Sequence, residues 1–159
     1  MRKFAHFGAR PAGGFTLIEL MVVVLVITIL TMIAVPSYLS ATLKSHRAEA
    51  KSVLLDLAAR QERFMATNGA YSQVPTDMGY TGATWPQNVG SNYYSVSLTN
   101  FNPAAAGSAT TAATPATFTF TATAINGQVK DTQCNTFTIN QAGVQGSTNS
   151  AAATSTGCW

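Results

Sequence analysis

Gly14-Phe15-Thr16-Leu17-Ile18-Glu19 and the apolar run behind it, ending at Pro36, decide how the rest of the chain is read. Between Leu20 and Val35 no residue carries a charge. Phe15 to Val35 is 21 residues, which as a helix span about 31 Å. The hydrocarbon core of a bilayer is about 30 Å thick, so the run can cross one. Glu19 is the anomaly, a single carboxylate near the start of an otherwise apolar helix. A charge at the centre of a membrane helix costs about 2.5–3.5 kcal/mol on insertion scales, and less near an end. Such a group needs a counter-charge, and the neighbouring sequence supplies none.

These residues resemble the type IV prepilin signature. In that family a short basic leader is removed after a glycine, here Gly14, by a dedicated membrane peptidase that then N-methylates the new first residue, here Phe15. The resemblance gives Glu19 an assembly role: it pairs with the N-terminal amine of a neighbouring subunit, which supplies the missing positive charge. A secretory signal peptide has its small-residue cut site after the apolar region. In this chain the glycines precede it. A simple membrane anchor leaves Glu19 without a reason.

Nine Lys and Arg stand against six Asp and Glu. Arg2, Lys3 and Arg10 all precede Gly14, so the predicted mature chain holds six of each. The basic balance reports the leader and gives no support to nucleic-acid binding. The same three positives flank one end of the apolar run, and the positive-inside rule places that flank in the cytoplasm. The expectation is a single-pass inner-membrane protein before assembly, its C-terminus periplasmic, and an extracellular pilus subunit afterwards. Beyond Pro36 the chain then lies in an oxidising compartment, where Cys134 and Cys158 are expected to form a disulfide. Two distant cysteines with no histidine nearby make a poor metal ligand set, and no metal or cofactor is expected.

The predicted organisation is a cleaved leader over 1–14, a transmembrane and filament-core helix segment over 15–36, an amphipathic helix half over 37–68, and a loop, sheet and disulfide-bounded region over 69–159. Proline removes one helix donor and crowds the preceding turn, so a kink is expected near Pro36. Many pilins that this chain resembles carry glycine at the position of Thr28 and melt locally in the filament. Thr28 departs from that pattern, since threonine forms helix more readily than glycine. Leu39, Leu43, Ala50, Leu54, Leu57 and Phe64 recur at threes, fours and their sums, one apolar stripe. Lys44, Arg47, Glu49, Lys51, Asp56, Arg60, Glu62 and Arg63 read as the solvated face. The sharper alternative pairs some of these charges between subunits, with Arg47 and Glu49 dispensable to the isolated fold. His46 is given no role. Asn68-Gly69 closes the helix.

Residues 69–91 read as a long ordered loop in which Tyr71, Tyr80 and Trp85 pack onto the domain. Tyr94, Val96 and Leu98 alternate with polar residues, as do Phe118 and Phe120 within Thr117–Thr123, and Phe137 and Ile139 within Thr136–Ile139. Asn126-Gly127 and Gln141-Ala142-Gly143 mark turns, the second leading to a short strand near Val144. Asn102 to Ala116 reads as a flexible loop. The sum is an α+β fold, one long helix against three or four antiparallel strands. Phe118, Phe120, Phe137 and Ile139 are expected to meet Leu54, Leu57 and Phe64. The disulfide near the C-terminus, Cys158-Trp159, and Gln61-Glu62-Arg63-Phe64 resemble the small PilE-type and ComP-like pilins.

The function implied is a structural subunit, a minor pilin, of a type IV pilus that supports adhesion, twitching motility and DNA uptake. Its implied partners are other pilins, the prepilin peptidase and methyltransferase, the inner-membrane assembly machinery, and the membrane before assembly. Two alternatives stand beside it. A receptor pilin that binds DNA directly needs several Lys or Arg phosphate contacts, and after the helix only Lys130 is basic. A pseudopilin of a type II secretion system shares the N-terminal signature, but the calcium-binding acids of such proteins reduce here to Asp131. No catalytic constellation stands out, and an enzyme is not expected.

Overall fold

The computed structural model describes residues 14–105 and 114–159. Arg2, Lys3 and Arg10 of the predicted leader, and the middle of the loop predicted over Asn102–Ala116, lie outside the described residues. The chain divides into two compact units, Met1–Ser40 and Ala41–Trp159.

One helix, α1, runs from Leu17 to Asn68 and carries Pro36 inside it. Its start is a capping box in sequence, Thr-x-x-Glu. Thr16 Oγ1 accepts a hydrogen bond from the Glu19 amide at 3.2 Å, and Thr16 O accepts the first helical bond, from Leu20. Glu19 lies in the first turn, where the positive end of the helix dipole favours a carboxylate. Thr28 and Thr31 turn their hydroxyls onto Val24 O and Thr28 O, at 2.8 and 2.9 Å. Their polar groups are thus satisfied within the helix, which continues through both.

In the second unit the helix buries Ala50, Leu54, Leu57 and Gln61. The sheet is five-stranded and wholly antiparallel, in the order β1 Gln87–Val89, β2 Tyr94–Asn102, β3 Thr117–Ala124, β4 Thr136–Asn140, β5 Gln145–Thr148. The α+β expectation holds, with one strand more than the upper count expected. The extra strand, β1, lies inside the segment predicted as loop and pairs Gln87, Asn88 and Val89 with Val96, Ser95 and Tyr94. The same segment holds a 3-10 turn, Pro75–Met78. In β2 the register slips between Leu98 and Asn100. Thr99 at the slip reaches Thr119 O and Thr121 Oγ1, the extra-residue geometry of a bulge.

Phe118, Phe120, Phe137 and Ile139 share one core with Leu54 and Leu57, as expected from their alternation, while Phe64 is only partly buried at its margin. Each large apolar side chain so buried is worth about 1.5–3 kcal/mol. Tyr71 meets Phe118 edge-on and Trp85 meets Phe120, with ring centroids 4.8 and 5.4 Å apart. The aromatics of the long connection therefore close the core. Cys134 and Cys158 form a disulfide with Cα atoms 5.8 Å apart. Beside it, Trp159 sets its ring edge-on to Phe137 and donates its indole N–H to Gly146 O.

Candidate functional site

Two regions carry unusual side chains, one in each unit. In the first, every described side chain from Gly14 to Ser40 is exposed. Phe15 is 84% exposed and Leu25 60%. α1 is long and apolar enough to cross a membrane. Apolar exposure on this scale marks a surface that is covered in use, by lipid or by other apolar side chains. Gly14 and Phe15 precede the helix, Phe15 and Glu19 lie one turn apart, and among the described residues no cation pairs with Glu19.

In the second unit the helix stripe is not purely apolar. Arg47 donates from Nη2 to Asp131 Oδ1 at 2.7 Å and from Nε to Asp131 Oδ2, a bidentate pair with the aspartate side chain only 2% exposed. Asp131 Oδ1 also accepts the Cys134 amide. Gln128, fully buried, turns its amide nitrogen to Tyr94 Oη, Asp131 Oδ2 and Leu43 O. Two of these are acceptors only, which fixes the amide's orientation and leaves Oε1 toward His46 Nδ1 at 2.9 Å. Nδ1 therefore carries the proton. The His46 ring stacks on Tyr93 with centroids 3.7 Å apart. Burial pushes the Tyr94 hydroxyl up to about 12, partly offset by the Gln128 hydrogen bond. Burial likewise raises Tyr71, helped by its bond to the Glu62 carboxylate, and raises Tyr80.

A second buried glutamine ties the connection to the helix. Gln61 donates from Nε2 to Ser72 O and accepts the Ser72 amide on Oε1. This two-way amide clamp satisfies a buried loop backbone as a strand would. Glu49 accepts the Ser91 amide at 3.0 Å, and its carboxylate occupies the space a side chain at Gly90 would need.

These contacts correct the reading of Arg47 and Glu49 as charges dispensable to the fold. Both are engaged within their own chain, and Arg47 is part of the core's edge. His46, given no role, is likewise a fixed member of the network. Gln61 and Arg47 fall on the stripe Leu43, Arg47, Ala50, Leu54, Leu57, Gln61, Phe64. Polar residues in register with an apolar stripe were the available signal. Gln128 and Asp131 sit in a 3-10 turn and just past it, where no period applies.

The other cations are more open. Lys51 donates to Cys158 O. Arg60 bridges Asp56 and Met78 O, Arg63 among the described residues hydrogen-bonds only Ala59 O of its own helix, at 3.5 Å, and Lys44 and Lys130 are exposed. Among the described residues no three His, Cys, Asp or Glu side chains cluster as metal ligands.

Residues 36–138 match the family described as type IV minor pilin ComP, DNA uptake sequence receptor. Residues 10–35 match the prokaryotic N-terminal methylation motif. The chain is similar to the type IV major pilin protein PilA of Myxococcus xanthus, 40% identical over 78 residues, which are 49% of this chain and 35% of that one. It is also similar to the type IV wide pilus major component PilA4 of Thermus thermophilus, 35% identical over 63 residues, 40% of this chain and 48% of that one. The chain thus spans about a third to a half of the length of these relatives. A methylation motif at the head of the apolar helix and a family match across most of the remainder agree with the helix-on-sheet architecture, and the chain belongs to the ComP family of type IV pilins.

Proposed function

We propose that this chain is a minor subunit of a type IV pilus, drawn from the membrane into the filament by α1. The observation that carries the reading is the uninterrupted exposed apolar surface from Phe15 to Val35 with one carboxylate, Glu19, in its first turn. A helix stable in lipid leaves it only for surroundings equally apolar, and sister helices supply them. Cleavage between Gly14 and Phe15 creates a free amine at the residue four before Glu19, and N-methylation keeps it basic. In the filament that amine neutralises Glu19 of a neighbouring copy, so the acid gains its counter-charge as the helix leaves the bilayer. Processing requires a prepilin peptidase and methyltransferase, and extraction requires the inner-membrane assembly machinery. Adhesion, twitching motility and DNA uptake are what such a filament supports. Replacing Glu19 by Ala tests the reading: synthesis and membrane insertion should persist while the subunit disappears from sheared filaments. Normal incorporation of that variant defeats it.

A second reading, direct DNA binding, is favoured by the family match alone. Among the described residues Lys44, Arg60, Arg63 and Lys130 are the exposed cations in its favour, few for an affinity built on phosphate contacts. Retardation of a DNA duplex at low salt by the detergent-solubilised full chain, lost as salt is raised, supports it. No retardation at low salt removes it.

A further inference from the structure

A groove of about 520 Å³ lies along the last turns of α1, lined by Arg60, Arg63, Phe64 and Asn68 on the helix and by Thr76 and Asp77 on the facing 3-10 turn. Its first arginine is pre-set. Arg60 Nε donates to Asp56 Oδ2 at 2.7 Å and Nη1 to Met78 O at 2.9 Å. The guanidinium lies where a side chain at Gly79 would stand, 2.5 Å from that Cβ position, and Gly79 has φ +85°. Three sides of the group are thereby held, its side chain remains 43% exposed, and among the described residues nothing engages Nη2, which keeps both hydrogens for a ligand. Among the described residues only the Nε of Arg63 is engaged, which leaves its terminal fork for a ligand.

The rest of the groove accepts hydrogen bonds. Asp77 uses Oδ2 for the Ser72 hydroxyl, leaving Oδ1. Asn68 spends its amide nitrogen on Phe64 O, leaving its Oδ1. Phe64 supplies an apolar floor. Two donor forks, two carboxyl or carboxamide acceptors and an aromatic carbon surface suit a ligand with an anionic group, hydroxyl donors and an apolar ring face together. We propose that this groove binds an acidic sugar, a uronate unit of a polysaccharide: its carboxylate on Arg63 and Arg60, its ring hydroxyls donating to Asp77 and Asn68. A DNA backbone fits less well. Its phosphates and deoxyriboses offer no hydroxyl donor, so Asp77 faces only acceptors and repels the phosphates. The groove lies wholly within residues 41–159 and its binding does not depend on filament assembly.

The test is titration of the full chain, in an uncharged polyoxyethylene detergent, with trigalacturonate, its carboxyl-reduced neutral counterpart, and a short DNA duplex. Saturable trigalacturonate binding is expected, about tenfold weaker in Arg63→Ala, a change equivalent to one lost charge-assisted hydrogen bond. Asp77→Asn should weaken uronate binding severalfold, with thermal midpoints of both variants unchanged. Three results each overturn the proposal: no saturable binding, equal binding of the neutral sugar, or indifference of both variants. Displacement of the sugar by the duplex together with tighter duplex binding in Asp77→Asn also overturns it and assigns the groove to phosphodiesters.

Discussion

Arg47 on the helix and Asp131 just past the 3-10 turn after β3 form a two-pronged ion pair, Nη2 to Oδ1 at 2.7 Å, with the aspartate almost wholly buried. Because Asp131 also holds the Cys134 amide, the pair fastens the disulfide-bearing segment to the helix. Breaking a buried pair from one side strands the other charge, typically costing 3–5 kcal/mol. Asp131→Ala is therefore expected to destabilise the sheet-bearing unit by about 3–4 kcal/mol, since Arg47 keeps slight solvent access. Denaturant unfolding followed by Trp85 and Trp159 fluorescence measures it. A loss under about 1 kcal/mol, the value of an exposed pair, contradicts the assignment.

Gln61 carries the second buried clamp. Gln61→Ala orphans both the amide and the carbonyl of buried Ser72, each costing about 1–3 kcal/mol unless water enters. The expected loss is about 2–3 kcal/mol, accompanied by faster hydrogen exchange at Ser72 and Val74. Protection unchanged at those amides would show that the clamp is not what orders the connection.

The main elements are legible in the sequence because their periods are clean. Thr117–Thr123 alternates threonine with apolar residues, and its apolar set Phe118, Phe120 and Ala122 is the buried set. The short strands are less legible. Gln145–Thr148 holds no apolar residue and is announced only by the Gln141-Ala142-Gly143 turn before Val144, while Gln87–Val89 holds one and is not legible. Each is a strand because a neighbouring strand offers it a ladder, which is a tertiary fact. The polar network was hidden for a different reason. Arg47 and Gln61 occupy apolar-stripe positions, but the partners that make this tolerable, Asp131 and Ser72, are 84 and 11 residues away. At the N-terminus, Glu19 stands out in the sequence as one acid in a long apolar run, whereas the roles of Gly14, Phe15 and Glu19 are what the prepilin resemblance implies.

Alkaline titration isolates Tyr94. Burial holds its hydroxyl at about 12, above the ordinary value of 10.0. The neutral phenol is therefore the form that folding favours, and its contribution is complete below pH 10 and declines as pH rises toward 12. Tyr94→Phe should lower stability at neutral pH, because Gln128 loses an acceptor, yet lose less on going from pH 9 to 11 than the unaltered chain. Equal alkaline losses in both chains would place Tyr94 outside the cause.

The disulfide closes a segment of 24 residues that is poor in apolar side chains. In the chain-entropy treatment, a bridge over that length stabilises by about 3.5 kcal/mol. Replacing both Cys134 and Cys158 by serine is expected to lower stability by that order, and thiol titration of the exported chain should find none free. Two reactive thiols in the exported protein contradict the bridge.

Mass spectrometry of the chain recovered from sheared surface filaments bears most directly on the filament account. The account predicts a polypeptide that begins at Phe15, carries one methyl group on its amine, and contains the Cys134–Cys158 bridge. A chain that retains residues 1–14, or that is found in the membrane and never in the filament, contradicts it.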